Sequence, residues 1–253
     1  MIEIKTPEEL AIMEKGGKIL AETLYEVIKH TKPGISELEI DALAEKYIRK
    51  QGAEPGFKRV RGYHHTICAS TNNVIVHGIP TTYKLKEGDI FGIDCGVYFD
   101  GFHTDMAETI IIGGEKAVDP KIVSFLDTGR KALEVAISMV KPGNHIGHIS
   151  KAIQMIVEEG AGYGVTRELI GHGVGRELHE EPEVPGYLSR KVEKTPELKE
   201  RMVIAIEVIY NMGKPDIAYL DDGWTIVSAD HSLSGLFERT VAVTKSGYKI
   251  ITE

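Results

Sequence analysis

The chain reads as an α+β fold built from two related halves, and three observations predict it. Segments with apolar residues at helical spacing come in pairs, over residues 7–51 and 120–160. Each pair is followed by short segments rich in Ile, Val, Tyr and Thr, side chains that fit a pleated, half-buried surface. A LysProGly stop closes the leading helix of each pair, at 32–34 and 141–143, and at that offset Ile40 matches Ile149 and Ile48 matches Val157. The expected organisation is a single domain over residues 1–253 with internal halves of about 1–115 and 116–253.

The elements follow in order. Leu10, Met13, Gly17, Leu20, Leu24, Val27 and Ile28 recur at helical spacing and predict a helix over 7–30. Pro7 suits its first turn and Thr6 its cap. Ser36 caps a second helix through about residue 51, with Leu38, Leu43 and Ile48 expected to face inward. A third helix is expected over 120–140 and a fourth to about 160. Strand character marks 73–77, 89–99, 102–112, 202–210, 224–228 and 236–244. The longest irregular stretch, 180–200, is expected to be a surface excursion.

Composition excludes several classes. A net charge of −8 argues against a nucleic-acid or anionic-membrane partner. No apolar run is long enough to span a bilayer. The opening MIEIKTPEEL lacks the basic start and apolar block of a signal peptide. Two cysteines, Cys68 and Cys95, cannot form a disulfide framework, so a reducing, cytoplasmic setting is expected.

The chemistry lies in a few charged residues within apolar or glycine-flanked stretches. In IDCGVYFDGFHTDM, residues 93–106, the dipeptide Asp100-Gly101 favours a two-residue hairpin turn. That register pairs Phe99 with Phe102, Gly96 with Asp105 and Asp94 with Ala107. Asp94 and Asp105 become diagonal neighbours, with Cα atoms roughly 7–8 Å apart, which suits a cation between the carboxylates. Gly96, opposite Asp105, is expected to leave open space. The plainer alternative is a solvent-facing hairpin with two ordinary aspartates.

GHGVGRELHEEP, residues 171–182, holds His172 and His179 among glycines that argue against a helix. Glu207 sits in the apolar run MVIAIEVIY, where an unpaired carboxylate is costly. Glu238 sits in LFERTVAV, where the alternative is an ion pair with Arg239, although strand neighbours point to opposite faces. His77 ends the apolar run NNVIVHGIP. Four carboxylates and an imidazole gathered together are tolerable with cations between them. Oxygen and imidazole donors suit Mn, Fe(II), Co or Zn. No CxxC, HExxH, P-loop or GxGxxG motif occurs.

At these residues the sequence resembles the type I methionine aminopeptidases, within the pita-bread metallopeptidases. The resemblance runs in order through NNVIVHGIP, the aspartate hairpin, the histidine loop, IAIE, DGW and FERT, over nearly the whole chain. It implies the pita-bread fold, two pseudo-symmetric αβ halves around a curved antiparallel sheet, as one catalytic domain. It implies that Asp94, Asp105, His172, Glu207 and Glu238 hold two divalent metal ions, with Asp105 and Glu238 shared between them. His77 and His179 would contact the scissile amide and its developing oxyanion. Glu207 would double as general base to a water held between the ions. Tyr63, Cys68 and Trp224 would line the methionine pocket, with Leu178 where the family often carries an aromatic residue.

The implied activity is removal of the N-terminal methionine from nascent chains and peptides with a small second residue. The implied partners are those chain ends and the ribosome, with the protein a monomer. Three positions depart from the family pattern. Val208 follows Glu207 where proline is usual, Arg239 follows Glu238 where histidine is common, and Gly96 replaces a small polar residue. Two rival readings stand beside this one: an Xaa-Pro aminopeptidase, or a non-catalytic binding protein, on the same scaffold. His64, His65 and His103 are given only surface or supporting duty.

Overall fold

The computed structural model describes residues 2–253. Helix α1 (Pro7–His30) and helix α2 (Glu37–Lys50) both open with a capping box. The hydroxyls of Thr6 and Ser36 accept from the N–H groups of Glu9 and Glu39, and each glutamate accepts in return from the cap backbone. Orphan donors at both helix starts are thereby satisfied. Strands β1 (Glu54–Pro55), β2 (Ile67–Thr71), β3 (Val74–Val76), β4 (Ile90–Phe99) and β5 (Phe102–Ile111) complete the first half.

The second half repeats the plan. Helices α3 (Pro120–Ser138) and α4 (Ile146–Gln154), the latter running into a π-helical turn to Gly160, lead to β6 (Gly164–Val165), β7 (Gly171–Gly173) and β8 (Glu180–Val184). Strands β9 (Val203–Asn211), β10 (Ile217–Tyr219), β11 (Ile226–Ser228), β12 (Ser234–Val243) and β13 (Tyr248–Ile250) follow. The two LysProGly stops share a cause: Gly34 and Gly143 both turn the chain through left-handed φ, at 91° and 82°.

The main sheet runs β1-β4-β5-β12-β9-β7-β8, with every pairing antiparallel. Its centre is the β5–β12 seam, where the two halves meet. Each half packs its helix pair on the sheet over its own apolar cluster. One cluster joins Leu20, Leu24, Ile40 and Ile48 to Phe91 and Ile93. The other joins Phe125, Leu133 and Ile149 to Ile206, Val208 and Phe237. Helix α3 comes so close that a Cβ on Gly129 would lie 2.5 Å from the Phe237 ring and the Tyr210 hydroxyl. Among the described residues, no helix is long and apolar enough to cross a membrane.

The α+β architecture and paired halves are as the sequence predicts, with three local differences. Leu38 is exposed and Leu43 only half-buried; α2 turns Ile40, Ala44 and Ile48 inward instead. The stretch from 180 begins with a true strand, β8, pinned to β7, before the irregular chain resumes. Strand β2 carries Cys, Ala and Ser on a fully buried path, so no polar–apolar alternation marks it. The α2 correction is testable by urea unfolding: Ile40→Ala should cost about 2–5 kcal/mol, whereas Leu38→Ala should stay within about 1 kcal/mol.

Candidate metal centre

The Asp100-Gly101 turn has positive φ at both residues, 47° and 93°, and sets the hairpin register. Phe99 faces Phe102, Gly96 faces Asp105, and Asp94 faces Ala107. Across the seam Ala107 faces Glu238, and Glu238 faces Glu207. One row across four strands therefore reads Asp94, Ala107, Glu238, Glu207. The adjacent row on the same face holds Gly96, Asp105, Thr240, Ala205 and His172. Small residues between the ligand-type side chains leave the face open, and the pleat aims all five groups the same way.

They converge. Ligand atoms of Asp105, His172 and Glu238 lie within 4.8 Å of one another. His172 Nε2 stands 3.4 Å from Glu207 Oε1. Its Nδ1 lies 2.8 Å from the Gly173 carbonyl, which accepts the ring proton and leaves the Nε2 lone pair directed at the carboxylates. Asp94 Oδ1 and Glu238 Oε1 are buried with no hydrogen-bond partner. Directly opposed glutamates are destabilising in a sheet. Orphaned anionic oxygens beside an available imidazole form a donor set that fits hard or borderline divalent ions.

Burial dominates the titration of these groups. It pushes Asp94 up to about 7. Burial, then the charge of Asp94, pushes Asp105 and Glu207 well above the usual carboxylate range. Glu238 rises through burial and then Asp105. The imidazoles move the other way. Burial lowers His172 to about 3 and also lowers His179, while burial and then the nearby His179 lower His77. Burial thus disfavours the charged forms of both the histidines and the carboxyls, and a cation among the carboxyls would oppose their shift.

The histidine loop owes its glycines to close packing. A Cβ on Gly171 would lie 2.5 Å from the Ala205 carbonyl oxygen, and one on Gly173 would lie 2.2 Å from that of Glu181. At Gly175 it would meet Lys5 Nζ at 2.3 Å. Lys5 is 2% exposed and pairs with Glu180 Oε2 at 2.6 Å. The N-terminal segment thereby clasps the residue next to His179, whose ring lies 4.4 Å from that of His172. His77 enters from the end of β3 through a left-handed backbone, φ 56°, a conformation uncommon outside glycine.

All eleven residues singled out in the sequence line one cavity of about 100 Å³: Asp94, Asp105, His172, Glu207 and Glu238; His77 and His179; Tyr63, Cys68, Leu178 and Trp224. One wall is apolar. Tyr63 and Trp224 pack edge to face at 5.0 Å, and Asp222 holds the backbone of Trp224 and Thr225. Burial pushes the Cys68 thiol up, which keeps it a neutral packing group.

Phe57 and Val60 also line the cavity, and the sequence reading missed them. The space expected opposite Asp105 is not open: a Cβ on Gly96 would fall 2.8 Å from the Phe57 ring, so the glycine makes room for that ring. Nothing local in the sequence connects the two residues. Arg239 pairs with Glu108 at 2.9 Å, not with Glu238, and Val208 packs in the second core cluster. His64 is exposed, His65 stands 3.6 Å from Asp41, and His103 is buried against Tyr98.

Comparison with known proteins follows the same line. The model of metallopeptidase family M24 matches residues 11–245. Methionine aminopeptidase 1 of Bacillus subtilis is 44% identical over 252 residues, covering 100% of this chain and 99% of its own. The crystal structure of methionine aminopeptidase from Thermotoga maritima superposes with a TM-score of 0.95 at 38% identity, covering 100% of both chains. The prolidase of Pyrococcus furiosus shares the scaffold more distantly, with a TM-score of 0.78 at 26% identity over 99% of this chain and 65% of its own. The fold is that of the pita-bread proteins.

The raised carboxyls make ion binding a proton exchange. Loading the metal-free protein with Mn(II) at about pH 6 should release protons, read by calorimetry in buffers of different ionisation enthalpy. Affinity should weaken as pH falls further. Release near zero would mean that the carboxyls are already ionised without metal.

Proposed function

The chain belongs to metallopeptidase family M24, and we propose how its geometry performs methionine removal from peptide N-termini. The observation that carries the reading is one cavity with an acidic floor, neutral histidines at its rim and an apolar wall. Asp94, Asp105, His172, Glu207 and Glu238 would hold two divalent ions, drawn from Co, Mn, Fe(II) or Zn. Bound there, the ions supply Lewis acidity that makes a water nucleophilic near neutral pH.

The protein's own groups do the rest. The wall of Phe57, Val60, Tyr63, Cys68, Leu178 and Trp224 takes a short unbranched thioether, and the polarizable sulfur suits aromatic and thiol neighbours. His77 orients the scissile amide. His179, whose titration burial lowers, donates to the oxygen that gains charge as the carbonyl becomes tetrahedral. Glu207 takes the proton of the attacking water and returns it to the leaving nitrogen. The small cavity confines the first side chain, and the proposed preference is for a small second residue. The proposed setting is cytoplasmic, with a monomer acting on free peptides and on chain ends emerging from the ribosome.

Metal-loaded protein should release methionine from Met-Ala-Ser and leave Ala-Pro peptides intact. Chelation should abolish turnover and a divalent ion restore it. His179→Ala should keep its metal while kcat falls about 10²–10⁴-fold. Turnover of Ala-Pro peptides in preference would overturn the substrate assignment. An undiminished His179→Ala variant would overturn the role of that imidazole.

A further inference from the structure

At the seam between the halves, two threonine hydroxyls stand where backbone groups would ordinarily pair. Thr240 Oγ1 accepts from the Asp105 N–H at 2.9 Å and donates to the Asp105 carbonyl at 2.8 Å. Thr109 Oγ1 accepts from the Leu236 N–H at 3.0 Å and donates to the Leu236 carbonyl at 2.7 Å. Each clasp lies two residues from the facing pair Ala107 and Glu238, one on either side. The pattern is two-fold: a threonine of the second half grips the first, and a threonine of the first half grips the second. Both side chains are buried.

Neither threonine pairs its own backbone with the facing strand of the seam. Thr240 donates its N–H to Thr252 Oγ1 at 3.0 Å, and its carbonyl accepts from Ile251 at 2.8 Å. The Thr109 carbonyl accepts from Arg130 Nη2 at 3.0 Å. Direct register across the seam is confined to Glu238 with Ala107 and Arg239 with Met106. On both sides of it, the strands are held one hydroxyl apart. Asp105 and Glu238, which supply shared ligands in the metal-centre reading, stand on the two strands so spaced.

We propose that Thr109 and Thr240 are positioning residues whose hydroxyls fix the span between the ligands of the two halves, and so the capacity for a second ion. The inference rests on the metal-centre reading of Asp105 and Glu238. Physically, a carboxylate shared between two ions tolerates little change in the separation of its strand from the one opposite. Valine keeps the shape of threonine but leaves a buried N–H and carbonyl unpaired, and the strands must shift to satisfy them.

The test is stepwise titration of metal-free protein with Co(II) and Mn(II), without substrate and without oxygen. Calorimetry reads stoichiometry and affinity, and the Co(II) absorption bands read the ligand geometry. Wild type should take two ions. Thr109→Val and Thr240→Val should each weaken the second ion by about tenfold to a hundredfold and alter the Co(II) bands. Thr109→Ser and Thr240→Ser should restore both. If a valine variant does not fold, the alanine variant at that position, with room for a bridging water, carries the same test. Valine variants that bind both ions like wild type, even with a lowered melting temperature, would overturn the proposal. A wild-type protein that binds no ion would instead overturn the metal-centre reading, and this inference with it.

Discussion

Electrostatic repulsion buried on one face of a sheet is the constraint on which the rest of the structure turns. Glu207 and Glu238 face each other across neighbouring strands, with Asp94 and Asp105 beside them. Burial penalises their charged forms, and each carboxyl is pushed above the usual carboxylate range. Such a site is unfavourable for folding alone. The two apolar clusters, each covered by a helix pair, supply the stability that lets the sheet carry it.

Much of this was legible in the chain because it depends on local rules. A two-residue Asp-Gly turn fixes a hairpin, and the hairpin fixes which aspartate neighbours which. Carboxylates within apolar strands are informative because their burial is so costly. The halves were visible because a helix stop leaves a short, position-specific mark. What stayed hidden depends on contacts between distant segments. Phe57 fills the gap over Gly96, and Lys5 lies against Gly175, but no sequence spacing announces either pair. The inward face of α2 was misjudged for a related reason. Ile40 and Leu38 both read as apolar, and the sheet beneath decides which one it covers.

Two of the three departures from the family pattern, Arg239 and Val208, are accommodated on the side of the sheet away from the cavity. Arg239 points toward the helices, donates to the Ala107 carbonyl at 3.1 Å and pairs with Glu108, which also meets Arg130 of α3. A cation that follows Glu238 in sequence thus braces the seam from behind. Val208 sits beneath α3 in a strand paired on both sides, where a β-branched residue packs well and, unlike proline, keeps its N–H for the ladder. Gly96 trades a side chain for an aromatic ring, so the apolar wall and the acidic floor meet at that point.

The central seam also bears on when the molecule can first work. Asp94 and Asp105 are made early, whereas His172, Glu207 and Glu238 come from the later part of the chain. A partly synthesised copy that ends before residue 172 owns only the two aspartates of the centre. The set of five is complete only with the closing strand β12, which stands beside the hairpin. A copy that stops short of Glu238 therefore lacks part of the lining of its own cavity.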